Sequence, residues 1–206
     1  MRNPETILWC VDAQKDFMLP GGKLYVPGAE KLLPNIRRLV DQARQGRAFL
    51  VSHGCFHTED DPEFKAFPPH CVKGTTGADF VPEAITQEYV RVSNEPGSSL
   101  PEDFRRRRQI ILEKQTLDIF QSRHADALLE CLSRDAEFIV FGVVTEYCVR
   151  FAAKGLMERG RKVSVVSDAI ETLSHEAGEQ TISELNALSA NLATTDEVLA
   201  RLRDTE

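Results

Sequence analysis

With 206 residues, of which 42% are hydrophobic and 28% are charged, the chain is long enough to bury a full core and too apolar for wholesale disorder. Its 32 acidic residues outnumber its 25 Lys and Arg residues, and the net charge of -7 argues against a nucleic-acid-binding protein, because phosphate recognition needs a basic surface. No apolar run approaches the roughly 20 residues that span a bilayer, and the first residues lack the apolar core of a signal peptide, so we expect a cytoplasmic protein without membrane contacts.

Predicted strands alternate with predicted helices along the chain. The strands are continuous apolar runs at 6–11, 48–52, 109–112, 138–144 and 163–166. The helices are predicted at 28–46, 125–132, 145–159 and 176–188. Alternating elements with continuous apolar strands are typical of a parallel sheet covered on both faces. Because no repeat or linker interrupts the pattern, residues 1–206 are predicted to form one α/β domain.

Polar side chains follow several of these strands. Asp12, His53 and Lys114 come at or just after the end of an apolar run, and the turn that contains Cys148 follows the run 138–144. The carboxyl ends of parallel strands meet at one edge of the sheet, where open α/β folds place their sites. We therefore expect these residues to lie close together although they are far apart in the sequence.

Cys148 is the candidate nucleophile. It lies between a strand and a predicted helix N-terminus, where the helix dipole and free N–H groups are expected to lower the pKa of a thiol and can hold an oxyanion. A carboxylate beside the thiol, here Asp12, can act as a general base, and the ammonium of Lys114 can hold both anions in place. Taken singly, the three residues have ordinary alternatives, namely a buried small hydrophobe, a turn cap and a solvated strand end.

Three motifs connect these residues to a known family. Residues 11–17 (VDAQKDF) resemble the opening motif of the isochorismatase-like cysteine hydrolases, Lys114 matches their central lysine, and residues 142–149 (GVVTEYCV) resemble their nucleophile motif. The motifs occur in the family's order and spacing and cover nearly the whole chain. Members with a cysteine at position 148 are expected to hydrolyse amides through a thioester, whereas the isochorismatases proper lack this thiol and cleave a vinyl ether.

The resemblance implies both a fold and a set of site residues. The implied fold is a single-domain, open, six-stranded parallel sheet with helices on both faces. The implied catalytic residues are Asp12, Lys114 and Cys148, with a cis peptide bond between Val143 and Val144 and an oxyanion hole formed by the amides of Val144 and Cys148. Members of the family often form homo-oligomers, and the sequence leaves the oligomeric state of this chain open.

The segment 53–82 shows little periodicity and contains four prolines, three histidines and two cysteines. A long irregular segment inside a compact domain is usually functional. Residues 55–57 (CFH), Glu63 and 67–75 (FPPHCVKGT) resemble the metal-binding region of nicotinamidases. By position, the resemblance implies Cys55, His57, Glu63 and His70 as metal ligands. Phe17 and Phe67 are candidates for the walls of a flat aromatic pocket.

Cys55 departs from that subgroup, which has an aspartate at this position. Two His, one Glu and one Cys suit zinc, and a thiolate disfavours magnesium and suits manganese less well than a carboxylate does. One divalent metal ion, zinc, is therefore predicted; the alternative is a site that no longer binds metal. His53 either supports this site or simply ends a strand. The acidic residues 59–61 and the arginines 105–108 are interpreted as solvated surface charge.

The predicted function is hydrolysis of a small amide, with nicotinamide as the substrate and NAD salvage as the setting. One alternative is a family amidase that acts on a carbamoyl or ureido compound and lacks the metal site. Another is a binding protein that keeps the fold without turnover. The residues 67–70 (FPPH) argue against the first alternative, and Cys55 weakly favours it. The intact set of Asp12, Lys114 and Cys148 argues against the second, because unpaired buried charge is costly.

Overall fold

The computed structural model describes residues 5–203, which form one parallel sheet of seven strands with helices on both faces. The strands are β1 (Thr6–Val11), β2 (Phe49–Cys55), β3 (Tyr89–Val92), β4 (Gln109–Lys114), β5 (Glu137–Val143), β6 (Lys162–Glu171) and β7 (Asn191–Ala193). The α-helices are α1 (Lys15–Met18), α2 (Leu33–Arg44), α3 (Ala125–Glu130), α4 (Arg150–Glu158), α5 (His175–Ala187) and α6 (Thr195–Arg203). The strand order is β3-β4-β2-β1-β5-β6-β7, and all strand pairs are parallel. Among these residues, none of the helices is both long enough and apolar enough to cross a membrane.

The predicted α/β class with a parallel sheet is confirmed, and the expected number of six strands is one too low. All five strands predicted from apolar runs are present; β1 has the predicted bounds, and the other four have shifted ends. The two further strands, β3 and β7, lie at the two edges of the sheet and have four and three residues. Most of their residues are exposed or half-buried, so neither strand leaves a continuous apolar run in the sequence. Helix α6 also follows α5, which was expected to be the last.

Two strands extend beyond their predicted ends, one of them into the segment 53–82 that was predicted to be irregular. β2 continues through His53 to Cys55, which pairs with Lys114 of β4, so these residues are part of the sheet and not of the loop that follows. β6 runs through Glu171, past the predicted end at residue 166. The end of β2 was missed because its last residues are small or polar. They are buried in the structure, but they do not continue the apolar run in the sequence.

The core consists of two layers, one on each face of the sheet. Strand β1 is fully buried from Ile7 to Val11, and its side chains alternate between the layers. Leu8 and Cys10 belong to the layer that also contains apolar residues of α2 and α6. Ile7, Trp9 and Val11 belong to the other layer, which contains apolar residues of α3 and α4. On α2 the buried residues Ile36, Leu39, Val40 and Ala43 have the spacing of one helical face.

Gly142 allows β5 to approach β1 immediately before Asp12. It pairs with Val11, its φ is 118°, and a Cβ at this position would lie 2.0 Å from the carbonyl oxygen of Val11. An alanine would therefore need both a left-handed backbone and a displacement of β1. This position ties the geometry of the candidate site to the packing of the central strands.

We expect Gly142→Ala to lower the free energy of unfolding by roughly 3–5 kcal/mol, because backbone strain and a backbone clash add. Gly97→Ala is the matched control, since Gly97 has a φ of 88° but open space around its Cα. Its strain alone should cost about 1–2 kcal/mol. Urea denaturation of both variants measures the difference. Equal losses would contradict the close approach of the two strands.

Candidate active site

The polar residues that follow the strands meet at the carboxyl edge of the sheet, as expected. Asp12 follows β1, Cys55 and Lys114 are the last residues of β2 and β4, and Cys148 lies in a π-helical turn (Thr145–Val149) between β5 and α4. The backbone N–H of Asp12 donates to the carbonyl oxygen of His53 at 3.0 Å. The parallel topology thus brings together residues from four strands, because their ends face the same side.

Lys114 is at the centre of this group. Its Nζ lies 2.9 Å from Oδ2 of Asp12 and 3.5 Å from Sγ of Cys148, and it donates a hydrogen bond of 3.0 Å to Sγ of Cys55. The side chains of Lys114 and Asp12 are 0% and 1% exposed. Burial opposes the charge of the ammonium, but the carboxylate of Asp12 and the two sulfurs outweigh burial and raise the pKa of Lys114 well above its usual value. The three residues predicted as catalytic are therefore in mutual reach, with Cys55 as a fourth partner.

The charges in this group set opposite pKa shifts on Asp12 and Cys148. Burial opposes the charge on Asp12, but Lys114 and His53 together outweigh it and lower the pKa of the carboxyl below its usual range. Burial and the negative charge of Asp12 raise the pKa of the Cys148 thiol well above its usual value. The expectation that the helix N-terminus lowers the pKa of this thiol is therefore wrong. The resting pair is a carboxylate base beside a protonated thiol.

Asp12 is held in a strained backbone conformation, with a φ of 47°. Such a conformation persists where the surroundings fix it. Besides the contact with Lys114, Oδ1 of Asp12 lies 3.4 Å from Nδ1 of His53, whose side chain is fully buried. Burial lowers the pKa of the His53 imidazole, so the ring is neutral at pH 7. Asp12 is thus confined through its backbone and through both carboxylate oxygens.

Beside this group lies a cluster of residues that could hold a metal ion. One ligand atom each from Cys55, His57 and His70 lies within 4.8 Å of the others, and all three residues are buried. Glu63, the fourth predicted ligand, is not part of that cluster, but its Oε1 lies 3.8 Å from Nε2 of both histidines. All four predicted ligands are therefore neighbours.

The orientation of the two imidazoles fits a metal site. Nδ1 of His57 is 2.9 Å from Oδ2 of Asp61, and Nδ1 of His70 is 2.8 Å from the carbonyl oxygen of Pro68. These distances place Nδ1 of each ring beside an acceptor and leave Nε2 turned toward Glu63, and both ring nitrogens of His57 are buried without a hydrogen-bond partner among the described residues. Histidine ligands to metals are usually oriented in this way by a carboxylate or a carbonyl. Two imidazoles, a thiol and a carboxylate are a donor set that zinc accepts.

Asp61 was interpreted as solvated charge, and this interpretation is wrong. Its side chain is 8% exposed, and it orients His57 while also accepting a hydrogen bond of 2.9 Å from the backbone N–H of Glu63. The spacing of four residues between His57 and Asp61 is compatible with many loop conformations, so the sequence carries no signal for the contact.

Cys55 is fixed by its backbone and protonated in the absence of metal. The side-chain amide of Gln14 donates to the carbonyl oxygen of Cys55 at 2.6 Å and accepts from its N–H at 2.7 Å. Burial and the charge of Asp12 raise the pKa of the Cys55 thiol to about 12. A metal ion bound through this sulfur would have to displace its proton. Gln14 lies inside the opening motif, but its contact with Cys55 could not be predicted, because it depends on where β2 ends relative to β1.

A narrow cleft leads to these groups. Its walls are mostly apolar, and both predicted aromatic residues, Phe17 and Phe67, contribute to them. The cleft also contains Val144 and Cys148, and the Val143–Val144 peptide bond is cis, as expected. The lining residues are Asp12, Phe17, Leu24, Cys55, Glu63, Phe67, His70, Leu117, Val143, Val144, Tyr147, Cys148 and Leu173.

Tyr147 and Leu173 are lining residues that sequence reasoning missed. The ring of Tyr147 lies 6.0 Å from that of Phe67 and perpendicular to it. The loop that carries Leu173 is fixed by Glu146, whose Oε1 accepts from the backbone N–H groups of Leu173 and Ser174 at 3.0 and 2.9 Å. Tyr147 and Glu146 stand in the nucleophile motif and could have been suspected, whereas nothing marks Leu173.

Comparison with known proteins is consistent with this geometry. Residues 6–98 and 87–197 match the sequence profile of the Isochorismatase domain. The nicotinamidase of Escherichia coli (strain K12) is 27% identical over 216 residues, which cover 93% of this chain and 95% of that protein. The crystal structure of the pyrazinamidase of Pyrococcus horikoshii in complex with zinc superposes with a TM-score of 0.74 at 27% identity, covering 93% of this chain and 99% of that one.

The same fold also occurs with another amidase activity. The N-carbamoylsarcosine amidase of Thermoplasma acidophilum superposes with a TM-score of 0.71 at 21% identity, covering 94% of this chain and 98% of that one. At this identity the likeness concerns the fold alone. The domain match extends over most of the chain, and the resemblance of the three motifs is thereby confirmed at the level of the family. The chain belongs to the isochorismatase family.

Proposed function

We propose that this chain is a cysteine amidohydrolase that converts nicotinamide and water to nicotinic acid and ammonia. The observation that carries the proposal is the buried group of Asp12, Lys114 and Cys148, two of which line an apolar cleft, next to the cluster of imidazoles and thiol. Phe17 and Phe67 in the walls suit a flat aromatic ring. The similarity to nicotinamidases and to a zinc-containing pyrazinamidase supports the same substrate class.

In the proposed reaction, Asp12 and Cys148 carry the proton transfer and the attack. Because the resting thiol keeps its proton, Asp12 must take that proton as Sγ attacks the carboxamide carbon. The attack forms an S–C bond and converts the carbonyl oxygen to an oxyanion. The amides of Val144 and Cys148 are the proposed donors to that oxyanion.

Asp12 then gives its proton to the amide nitrogen, the C–N bond breaks, and ammonia leaves a thioester on Cys148. Water attacks the thioester while Asp12 takes one of its protons. Collapse of this second intermediate releases nicotinic acid, and the proton returns from Asp12 to sulfur. The sum is one amide and one water converted to one acid and one ammonia.

Lys114 stabilises each anion in this cycle without changing its own charge. Its Nζ reaches both the carboxylate of Asp12 and the sulfur of Cys148, so it faces the negative charge as that charge passes between them. Its raised pKa keeps the ammonium protonated throughout the working pH range. A fixed cation in a buried site stabilises a developing charge more strongly than one in water.

The residues that would hold the metal ion are Cys55, His57, His70 and Glu63. A zinc ion bound by them would supply a Lewis acid, and a ring nitrogen would bind it as a fifth ligand. His70, Glu63 and Cys148 all line the same cleft, so a substrate ring held at the two metal ligands could extend its carboxamide toward the sulfur. Asp61 and Pro68 keep the two histidines oriented for this task.

A carbamoyl or ureido compound is the second candidate substrate. The observation in its favour is that Cys55, which replaces the aspartate of nicotinamidases, has a protein partner without any metal, namely Nζ of Lys114 at 3.0 Å. A thiol used in this way need not bind an ion. The two candidates therefore differ in whether the imidazole cluster binds metal and in whether a ring nitrogen matters.

The first test concerns the nucleophile. Cys148→Ala should lower kcat for nicotinamide at least about 100-fold, because only substrate binding and the oxyanion donors remain. Its circular dichroism spectrum should match that of the wild type. Cys131→Ala, which removes an exposed thiol outside the cleft, is the matched control and should keep wild-type activity. If the Cys148 variant keeps more than about one hundredth of kcat, another group performs the attack.

The second test concerns the metal ion. We expect one zinc ion per chain, and His57→Ala should lower the affinity for zinc by a factor on the order of 100 or more. His57 is preferable to Cys55 here, because Cys55 also contacts Lys114. His175→Ala, whose side chain is 88% exposed, is the control and should bind zinc normally. Elemental analysis after dialysis measures the content, and a wild type that binds no zinc under these conditions would refute the site.

The third test separates the two candidate substrates. With zinc present, kcat/KM for nicotinamide should exceed that for benzamide by a factor on the order of 100 or more, since benzamide has the same shape but no ring nitrogen. Pyrazinamide, which retains a nitrogen at the same ring position, serves as the control and should behave like nicotinamide. Ammonia release measures all three. Equal rates on nicotinamide and benzamide, or turnover of a ureido compound alone, would favour the second candidate.

A further inference from the structure

His53 is a buried polar residue at the site to which the mechanism above gives no role. It lies on β2 two residues before Cys55, and its side chain is fully buried. Its Nδ1 faces Oδ1 of Asp12 at 3.4 Å, and its carbonyl oxygen accepts the backbone N–H of Asp12 at 3.0 Å. One residue therefore contacts Asp12 through both its backbone and its side chain.

The surroundings of the His53 ring fix its position. His53 pairs with Val11 in the register between β1 and β2, so the strand itself sets its distance from Asp12. The indole of Trp9 packs edge-on against the imidazole, with 6.0 Å between the ring centroids. A buried imidazole packed in this way cannot turn freely, and its Nδ1 faces the carboxylate of Asp12.

Asp12 needs such a neighbour because Lys114 is shared. The ammonium contacts Oδ2 of Asp12 and also the sulfurs of Cys55 and Cys148. A contact to one carboxylate oxygen leaves rotation about the Cβ–Cγ bond open. A carboxyl group that takes and returns a proton in every cycle must keep one orientation, because a misplaced base loses much of its effect.

We propose that His53 is a positioning residue, whose Nδ1–H donates to Oδ1 of Asp12 and keeps this carboxylate directed at Cys148. The inference rests on the proposed amide hydrolysis through Cys148. At 3.4 Å the two atoms form no hydrogen bond in this structure, and both are buried without a hydrogen-bond partner among the described residues. Catalytic hydrogen bonds are often long before the substrate binds and tighten in the complex. An imidazole N–H remains a suitable donor whether the carboxyl is charged or protonated.

Three substitutions of His53 test the role. His53→Leu removes the donor, His53→Asn keeps an N–H near the position of Nδ1, and His53→Gln keeps an amide but moves it one bond further along the side chain. For nicotinamide, the Leu and Gln variants should lose about tenfold or more in kcat with KM changed less than about threefold, because substrate contacts are intact. The Asn variant should return to within about threefold of the wild-type kcat. If the Leu variant fails to fold, the comparison of Asn with Gln carries the same information.

Alkylation of Cys148 by iodoacetamide provides a second measurement that needs no amide turnover. Proton removal by a well-placed Asp12 promotes this reaction too, so His53→Leu and His53→Gln should slow modification of the Cys148 peptide and His53→Asn should restore it. The exposed Cys131 in the same digest is the internal reference and should react at one rate in all variants. If the wild type does not hydrolyse nicotinamide, the proposed function fails while this measurement still tests His53.

If His53→Leu matches the wild type in both kcat and alkylation, or if the Asn variant is as impaired as the Leu variant, His53 does not position Asp12. Zinc content is measured in every variant, because Cys55 lies two residues away. A fall in kcat that follows loss of zinc, with alkylation unchanged, would assign the effect to the metal site and also overturn the inference.

Discussion

The buried positive charge of Lys114 is the constraint on which the rest of the candidate site depends. An ammonium taken out of water costs several kcal/mol unless an anion and further acceptors compensate, and removing one member of a buried ion pair typically costs about 3–5 kcal/mol. Here Asp12 compensates at 2.9 Å, and two thiols complete the contacts. The same charge that makes Asp12 tolerable inside the protein also places a cation beside the sulfur of Cys148. Stability and the proposed chemistry therefore depend on one contact.

Cys55 connects this charged group to the cluster of imidazoles. Its sulfur accepts from Lys114 and lies within 4.8 Å of the ligand nitrogens of His57 and His70. With an aspartate at this position, the residue would bring a second negative charge to Lys114, whereas a thiol is neutral until a metal takes its proton. A metal ion at the cluster would thus alter the charge that Lys114 faces beside the proposed nucleophile.

The positions of Asp12, Lys114 and Cys148 could be predicted because apolar runs mark the central strands and parallel topology brings their ends together. The motifs added the candidate ligands. The contact of Cys55 with Lys114 could not be predicted, since it depends on the register of β2 against β4. The raised pKa of Cys148 was missed for a related reason. Burial and the nearby carboxylate of Asp12 raise this pKa, and neither the burial nor the distance can be read from the sequence. The edge strands β3 and β7 were not predicted, because most of their residues are exposed or half-buried and form no continuous apolar run.

In the proposed reaction, the sulfur of Cys148 forms a covalent acyl bond with the substrate. The most direct measurement is acid quenching of the protein during turnover of nicotinamide, followed by digestion and mass spectrometry. We expect a mass increase equal to one nicotinoyl group on the Cys148 peptide, which disappears when the substrate is exhausted. The Cys55 peptide is measured alongside it, because Lys114 contacts both sulfurs. A nicotinoyl group on Cys55, or turnover without any acylated cysteine, would exclude Cys148 as the nucleophile.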